Sequence, residues 1–98
     1  MTKKEMVKDI ADETNLPPAQ VMAIVQRVLD GITDTLVEEG RIELRNFGIF
    51  EVRKRKPRQA RNPKTGATVK VPARLVVSFK AGKKMAQRVR KSKKVPGQ

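Results

Sequence analysis

From Val52 to the C-terminus the chain carries 17 Lys and Arg and not one Asp or Glu, while residues 1–51 hold all ten acids against six basic residues, a net charge of −4. A stretch so one-sided cannot neutralise itself, and its chemistry is to draw counter-charge from a polyanion. Arg pairs with phosphate through a planar fork of donors, Lys as a point charge. Arg53, Lys54, Arg55, Lys56, Arg58, Arg61, Lys64, Lys70 and Arg74 crowd into a segment with little to bury. Taken singly, Lys3, Lys83, Lys84 or Arg88 reads as an ordinary solvated charge. As a set without acids, these residues point to nucleic acid.

Other chemistries are poorly provided for. The chain has no Cys and no His, which removes disulfides, thiolate nucleophiles, the commonest metal ligand and the usual base at neutral pH. A serine-based enzyme would have only Ser78 and Ser92. Asp9, Asp12 and Glu13 face outward on a helix and do not converge as a hard cation requires. No enzyme activity, metal or cofactor is therefore expected. The longest apolar run, Val21 to Val25, is far short of the ~18 residues of a membrane span. With no visible secretory signal, the expected setting is the cytoplasm.

The 98 residues suit one small domain. With 38% hydrophobic and 3% aromatic residues, its core is thin for one chain to hold alone. Thr2 and Glu5 have capping-box spacing, so a first helix begins at Lys3 and stops near Asn15. Leu16-Pro17-Pro18 turns a corner, and a second helix runs from about Pro18 to Glu39, ending at Gly40. On it Val21, Met22, Ile24, Val25, Val28, Leu29, Ile32 and Leu36 span an arc of roughly 160°. So wide a stripe predicts covering by both a sheet and a second copy of the chain.

Arg41 to Arg45 alternates as a half-buried strand, Asn46-Phe47-Gly48 turns, and Ile49 to Val52 begins a second strand. Leu75 to Phe79 reads as a third. Phe47, Phe50 and Phe79 read as core residues and not as the exposed stacking platforms of a single-strand binder. After Lys80-Ala81-Gly82 a short helix turns Met85, Ala86 and Val89 inward, followed by a loose basic tail.

Between the second and third strands, residues of about 53–75 form two extended limbs around Asn62-Pro63-Lys64-Thr65-Gly66, whose turn chemistry is continuous. Ten residues out and ten back make a ribbon of ~33 Å. Pro57 and Pro72 fall roughly opposite each other and remove donors from both limbs. The residues at the tip leave two readings open for Pro63. It can be a turn proline, or an exposed, rigid apolar wedge, flanked by Arg61 and Lys64, that enters a base step from the minor groove.

Phe47-Gly48-Ile49-Phe50, Arg53, Arg55, Arg58, Arg61-Asn62-Pro63-Lys64-Thr65-Gly66 and Ser78-Phe79-Lys80-Ala81-Gly82-Lys83 together resemble the bacterial HU/IHF family of nucleoid-associated, histone-like proteins, on the HU side of it. The resemblance covers residues 1 to about 90 and leaves 91–98 as a flexible basic tail. It implies an α+β fold: a helical base, a three-stranded antiparallel sheet and a long β-ribbon arm, in an intertwined homodimer, or a heterodimer with a paralogue. What is known of the family further implies an architectural protein of the nucleoid that binds double-stranded DNA in the minor groove, bends and compacts it, and is largely indifferent to sequence. Carried over residue by residue, Arg53, Arg55, Arg58, Arg61, Asn62, Pro63, Lys64, Lys70 and Arg74 contact DNA from the arm, with Pro63 as intercalating wedge. Lys3, Lys80 and Lys83 contact the flanking backbone. Three departures bear on the arm and on helix capping: Ala60 where Gly is usual, an extra Pro57, and Pro17 in place of a hydroxyl cap. A basic RNA-binding or ribosome-associated protein would share size and charge, but A-form RNA offers no cheap base step to a wedge.

Overall fold

A computed structural model describes residues 1–92 and divides the chain into a helical unit, Met1–Glu38, and a second unit beginning at Glu39. In the first, α1 (Lys3–Thr14) starts where the Thr2 hydroxyl accepts the Glu5 amide at 3.2 Å and stops at Asn15, left-handed with φ 58°. The Glu5 carboxylate does not complete the reciprocal cap; it lies 4.0 Å from the terminal amine. Helix α2 (Pro18–Glu39) has no hydroxyl to open it, and the Pro17 carbonyl instead accepts the Gln20 and Val21 amides at 3.0 and 3.1 Å. The helix closes at Gly40, whose φ of 77° suits a residue without Cβ.

The helices meet through Val7, Ala11 and Val21, against which Ile10, Met22 and Val25 pack. Among the described residues these three and Leu36 are the buried hydrophobics. Three residues of the α2 stripe are open: Ile24 is 54% exposed, Val28 56% and Leu29 42%. A single chain therefore leaves unburied part of the surface that amphipathic spacing marks as interior.

The second unit contains an antiparallel sheet of order β1-β2-β5, made of β1 (Arg41–Leu44), β2 (Gly48–Arg55) and β5 (Arg74–Ala81). Arg45, expected in β1, belongs to the turn, where Asn46 is left-handed (φ 68°) and the Phe47 amide donates to Leu44. Gly48 is a position of close approach. A Cβ there would stand 2.5 Å from two Phe79 ring carbons and 2.6 Å from the Lys80 carbonyl oxygen. The Gly82 amide donates to the Phe47 carbonyl at 2.8 Å, joining the β1–β2 turn to the start of α3 (Lys83–Lys91).

The Phe79 ring centroid lies 4.7 Å from that of Phe50 and 5.6 Å from that of Phe47, so the three phenylalanines cluster as expected. They are not yet a core, because Phe47 and Phe79 remain nearly half exposed. In α3, Met85 and Ala86 are half-buried, but Val89, expected to turn inward, is exposed. The helix also continues through Lys91, the first residue assigned to the tail; residues 93–98 lie outside the described residues.

The arm is not one ladder. Its base belongs to β2 and β5, and its outer part is a separate ribbon of β3 (Arg58–Arg61) and β4 (Thr68–Val71). The expected continuous ribbon is thus interrupted at Lys56-Pro57 on one limb and Pro72-Ala73 on the other. The physical cause is the proline pair, since neither ring nitrogen can donate to a ladder. Register nevertheless carries through. Arg55 pairs with Arg74 before the gap and Arg58 with Val71 after it, which sets Pro57 opposite Pro72.

Candidate nucleic-acid interface

Strand alternation gives the three-stranded sheet two chemically different faces. One carries Ile42, Phe50, Val52, Leu75, Val77 and Phe79, which are cross-strand neighbours. Leu75 is 71% and Val77 59% exposed, so this apolar face is largely uncovered in the single chain. The other face carries Arg41, Glu43, Glu51, Arg53, Arg55, Arg74, Ser78 and Lys80, with Ile49 and Val76 among them. All four sheet residues proposed from sequence as DNA contacts, Arg53, Arg55, Arg74 and Lys80, thus share one face. Lys54 stands on the apolar side opposite Leu75.

Two residues the sequence reading did not single out shape this charged face. Glu51 is paired with Arg41 at 3.7 Å and with Arg53 at 3.2 Å. The Arg53 Nε also donates to the Ser78 hydroxyl at 3.1 Å, and that hydroxyl donates to the Glu51 carbonyl at 3.3 Å. Arg53 is thereby held against the sheet, whereas Arg55, one step along the same face, has Arg74 for its neighbour. Exposed ion pairs of this kind contribute only ~0–1 kcal/mol, so their role is to orient more than to stabilise. The signal for Arg41 and Glu51 was present in the sequence as the alternation of residues 41–45 and 49–52.

On the outer ribbon the register places Gln59, Arg61, Thr68 and Lys70 together, with Arg58, Ala60, Val69 and Val71 on the opposite side. Arg58 is therefore separated from Arg61 and Lys70. The second limb is not empty of apolar contacts, since Val69 and Val71 stand across from Ala60 and Arg58. Ala60, which departs from the glycine usual in the family it resembles, is half-buried there.

At the tip Asn62 faces Ala67. Its amide donates to the Ala67 carbonyl at 2.8 Å, and its carbonyl accepts the Gly66 amide at 2.7 Å. This is a bulge whose first residue is left-handed, as the Gly66 φ of 72° requires. The Asn62 side chain accepts the Lys64 amide at 2.9 Å, and the Thr65 hydroxyl accepts the Ala67 amide at 3.3 Å. Asn62, taken from sequence as a DNA contact, thus has a local turn-forming role. Pro63 follows it at the start of the turn, with its ring exposed, as are Arg61 and Lys64. A turn position and an exposed apolar tip are therefore combined in one residue.

The remaining candidates lie on helices and the sheet edge. Lys3 donates to the Gln26 side chain, which in turn donates to Asp30 at 2.9 Å, all within the helical unit. Lys83 and Lys84 open α3 behind Gly82, where the helix dipole adds to their positive field. Arg88, Arg90 and Lys91 sit in its last turn. No helix among the described residues is long and apolar enough to cross a membrane.

A three-helix α+β chain with a charged sheet face and a basic ribbon ending in Arg61-Asn62-Pro63 defines a histone-like nucleic-acid-binding class. The chain belongs to the bacterial DNA-binding protein family, the HU and IHF group, whose family pattern matches residues 1–90. It is 42% identical over 86 residues to the probable DNA-binding protein HU of Chlamydia trachomatis, covering 87% of this chain and 86% of that one. It is 47% identical over 90 residues to the integration host factor subunit beta of Haemophilus ducreyi, covering 91% and 97%. The fold matches that of Anabaena HU in a cocrystal with DNA, with a TM-score of 0.82, 35% identity and coverage of 91% and 97%. This is a family of DNA-binding architectural proteins and not of enzymes.

Proposed function

We propose that the chain is a homodimeric architectural protein that binds double-stranded DNA through phosphates, enters the minor groove with two ribbon arms, and bends and compacts the duplex with little regard to sequence. The reading rests chiefly on the chemical division of the sheet and arm: one basic face continuous with a ribbon whose tip exposes Pro63. Arg53, Arg55, Arg58, Arg61, Asn62, Lys64, Lys70 and Arg74 contact the DNA from the arm. Lys3, Lys80 and Lys83 hold the flanking backbone. Pro63 inserts at a base step, a mechanism established for minor-groove architectural proteins of this kind, in which unstacking costs ~a few kcal/mol and the resulting bend brings more DNA into contact. Two copies are needed because the open faces of α2 and the sheet together exceed what scattered surface hydrophobics account for. The protein works at the nucleoid, in the cytoplasm.

A gel-shift series at fixed salt tests this reading with linear, nicked and mismatched duplexes beside duplex RNA of equal length. All three DNAs should be retarded at protein concentrations that leave the RNA free. Equal or tighter binding to RNA would overturn it in favour of an RNA-binding structural protein.

A further inference from the structure

We propose that the recess at the proline seam of the arm is a binding site for a free linear oligophosphate, which competes there with DNA. The recess, about 340 Å³, is lined by Arg55, Lys56, Arg58, Val71, Pro72 and Arg74. Four of its six residues are cations and none is an acid. Arg55 and Arg74 are direct cross-strand partners, a like-charge juxtaposition that costs stability until an anion lies between them. Arg53 on the same face is satisfied by Glu51 and Ser78, whereas no carboxylate within ion-pair distance serves Arg55, Lys56, Arg58 or Arg74 among the described residues. Their exposed heads are therefore available, and the arginine forks suit phosphate oxygens bidentately.

The shape favours a chain of phosphates over a single one. A second recess, lined by Pro57, Arg58, Gln59, Lys70, Val71 and Pro72, shares Arg58, Val71 and Pro72 with the first and adds Lys70. The two adjoin across the ribbon, whose faces separate Arg58 from Lys70, so the first recess by itself gathers the cations Arg55, Lys56, Arg58 and Arg74. An isolated phosphate meets only part of that set, whereas a linear oligophosphate, charged at every phosphorus, engages more of it. The proline pair contributes by leaving the recess free of ladder hydrogen bonds at Pro57 and Pro72. The inference rests on the DNA-binding reading of the arm, because the same cations face both ligands. It adds that phosphate groups from a small molecule and from a DNA backbone are alternatives at this site.

Calorimetric titration of the full chain at constant ionic strength with tripolyphosphate, and separately with inorganic phosphate, tests the site. Each protein sample is also assayed for duplex DNA. One tripolyphosphate per chain is expected, at least ~10-fold tighter than inorganic phosphate, consistent with several charge-assisted bonds acting together. The paired substitution R55Q/R74Q should weaken tripolyphosphate by ~10-fold or more, while K4Q/K8Q, which removes the same charge from α1 and touches none of the recess lining, should change it less than ~2-fold, as expected where the recess and not net charge holds the ligand. Tripolyphosphate should also displace DNA from the wild type at concentrations where NaCl of equal ionic strength does not. Equal losses in the two paired variants, or no saturable binding, would overturn the site. If DNA binds while tripolyphosphate does not, this inference alone fails; if neither binds, the reading of the arm as a DNA-binding element fails with it.

Discussion

Arg55 and Arg74 stand directly opposite each other as the last pair of the β2–β5 ladder. Two guanidiniums at cross-strand distance destabilise a ladder by roughly the amount an opposite-charge pair stabilises it, ~0.2–1 kcal/mol. The free arm is therefore loosened at its root. Arg74→Glu should reverse the sign of this contact, slowing amide hydrogen exchange around residues 53–55 in the free protein while weakening DNA binding. Faster exchange in the variant would show that the pair is not in repulsive contact.

Dimerisation should be inseparable from folding. Part of the α2 stripe and much of the apolar sheet face stay open in one chain, so the thermal midpoint should rise with protein concentration through mass action. Ile32→Asp, placing a charge in the α2 stripe, should abolish dimer and fold together. Sedimentation as a monomer at micromolar concentration with full helicity would contradict this.

Phosphate contacts should dominate affinity. If a dimer neutralises ~8 phosphates, the slope of log K against log salt should be about −7 from the ~0.9 per contact of duplex DNA. Filter binding across a salt series measures it. A slope shallower than about −2 would mean that most of the basic face is idle surface.

Pro63 and Arg61 should separate bending from binding. Pro63→Ala should leave thermal stability within ~0.5 kcal/mol, as exposed changes usually do. The end-to-end distance of a doubly labelled duplex should meanwhile rise toward that of straight DNA. Arg61→Ala should weaken binding to every duplex, because a phosphate contact carries no sequence information. Undiminished bending by Pro63→Ala at saturating protein would leave Pro63 as a turn residue.

Gly48→Ala should act on the fold and not on the arm. The added methyl would meet the Phe79 ring and the Lys80 carbonyl at impossible distances, and relieving such crowding costs ~1–3 kcal/mol. The variant's thermal midpoint should fall, as read by circular dichroism. An unchanged midpoint would mean that the β2–β5 pair yields more easily than its contacts suggest.

Local chemistry made the helices and their ends legible: Thr2, Asn15, Pro18 and Gly40 all act where their residue types indicated. The seam at Pro57 and Pro72 was legible as a loss of donors, but not as a division into two sheets, because extended residues on either side look alike in sequence. Burial was harder to read. Val89 and Phe79 have the residue types of a core, yet their exposure in one chain depends on surfaces a single sequence does not display. Within the basic run, charge identified the candidates as a group, but register alone separates Lys54 from Arg53 and Arg55, or Arg58 from Arg61. Asn62 shows the limit of motif reasoning, since its side chain is occupied in shaping the turn.

The uninterrupted register across the seam also governs how the arm could change in length. A residue inserted in one limb alone would shift every outer pair and put Arg61 and Lys70 on opposite surfaces. One residue added to each limb would preserve the pairing of the tip but invert its orientation, while two on each limb would preserve both and lengthen the reach by ~6.6 Å. Arm length is therefore quantised: the tip can be moved outward along DNA without reorientation only in paired steps of two residues.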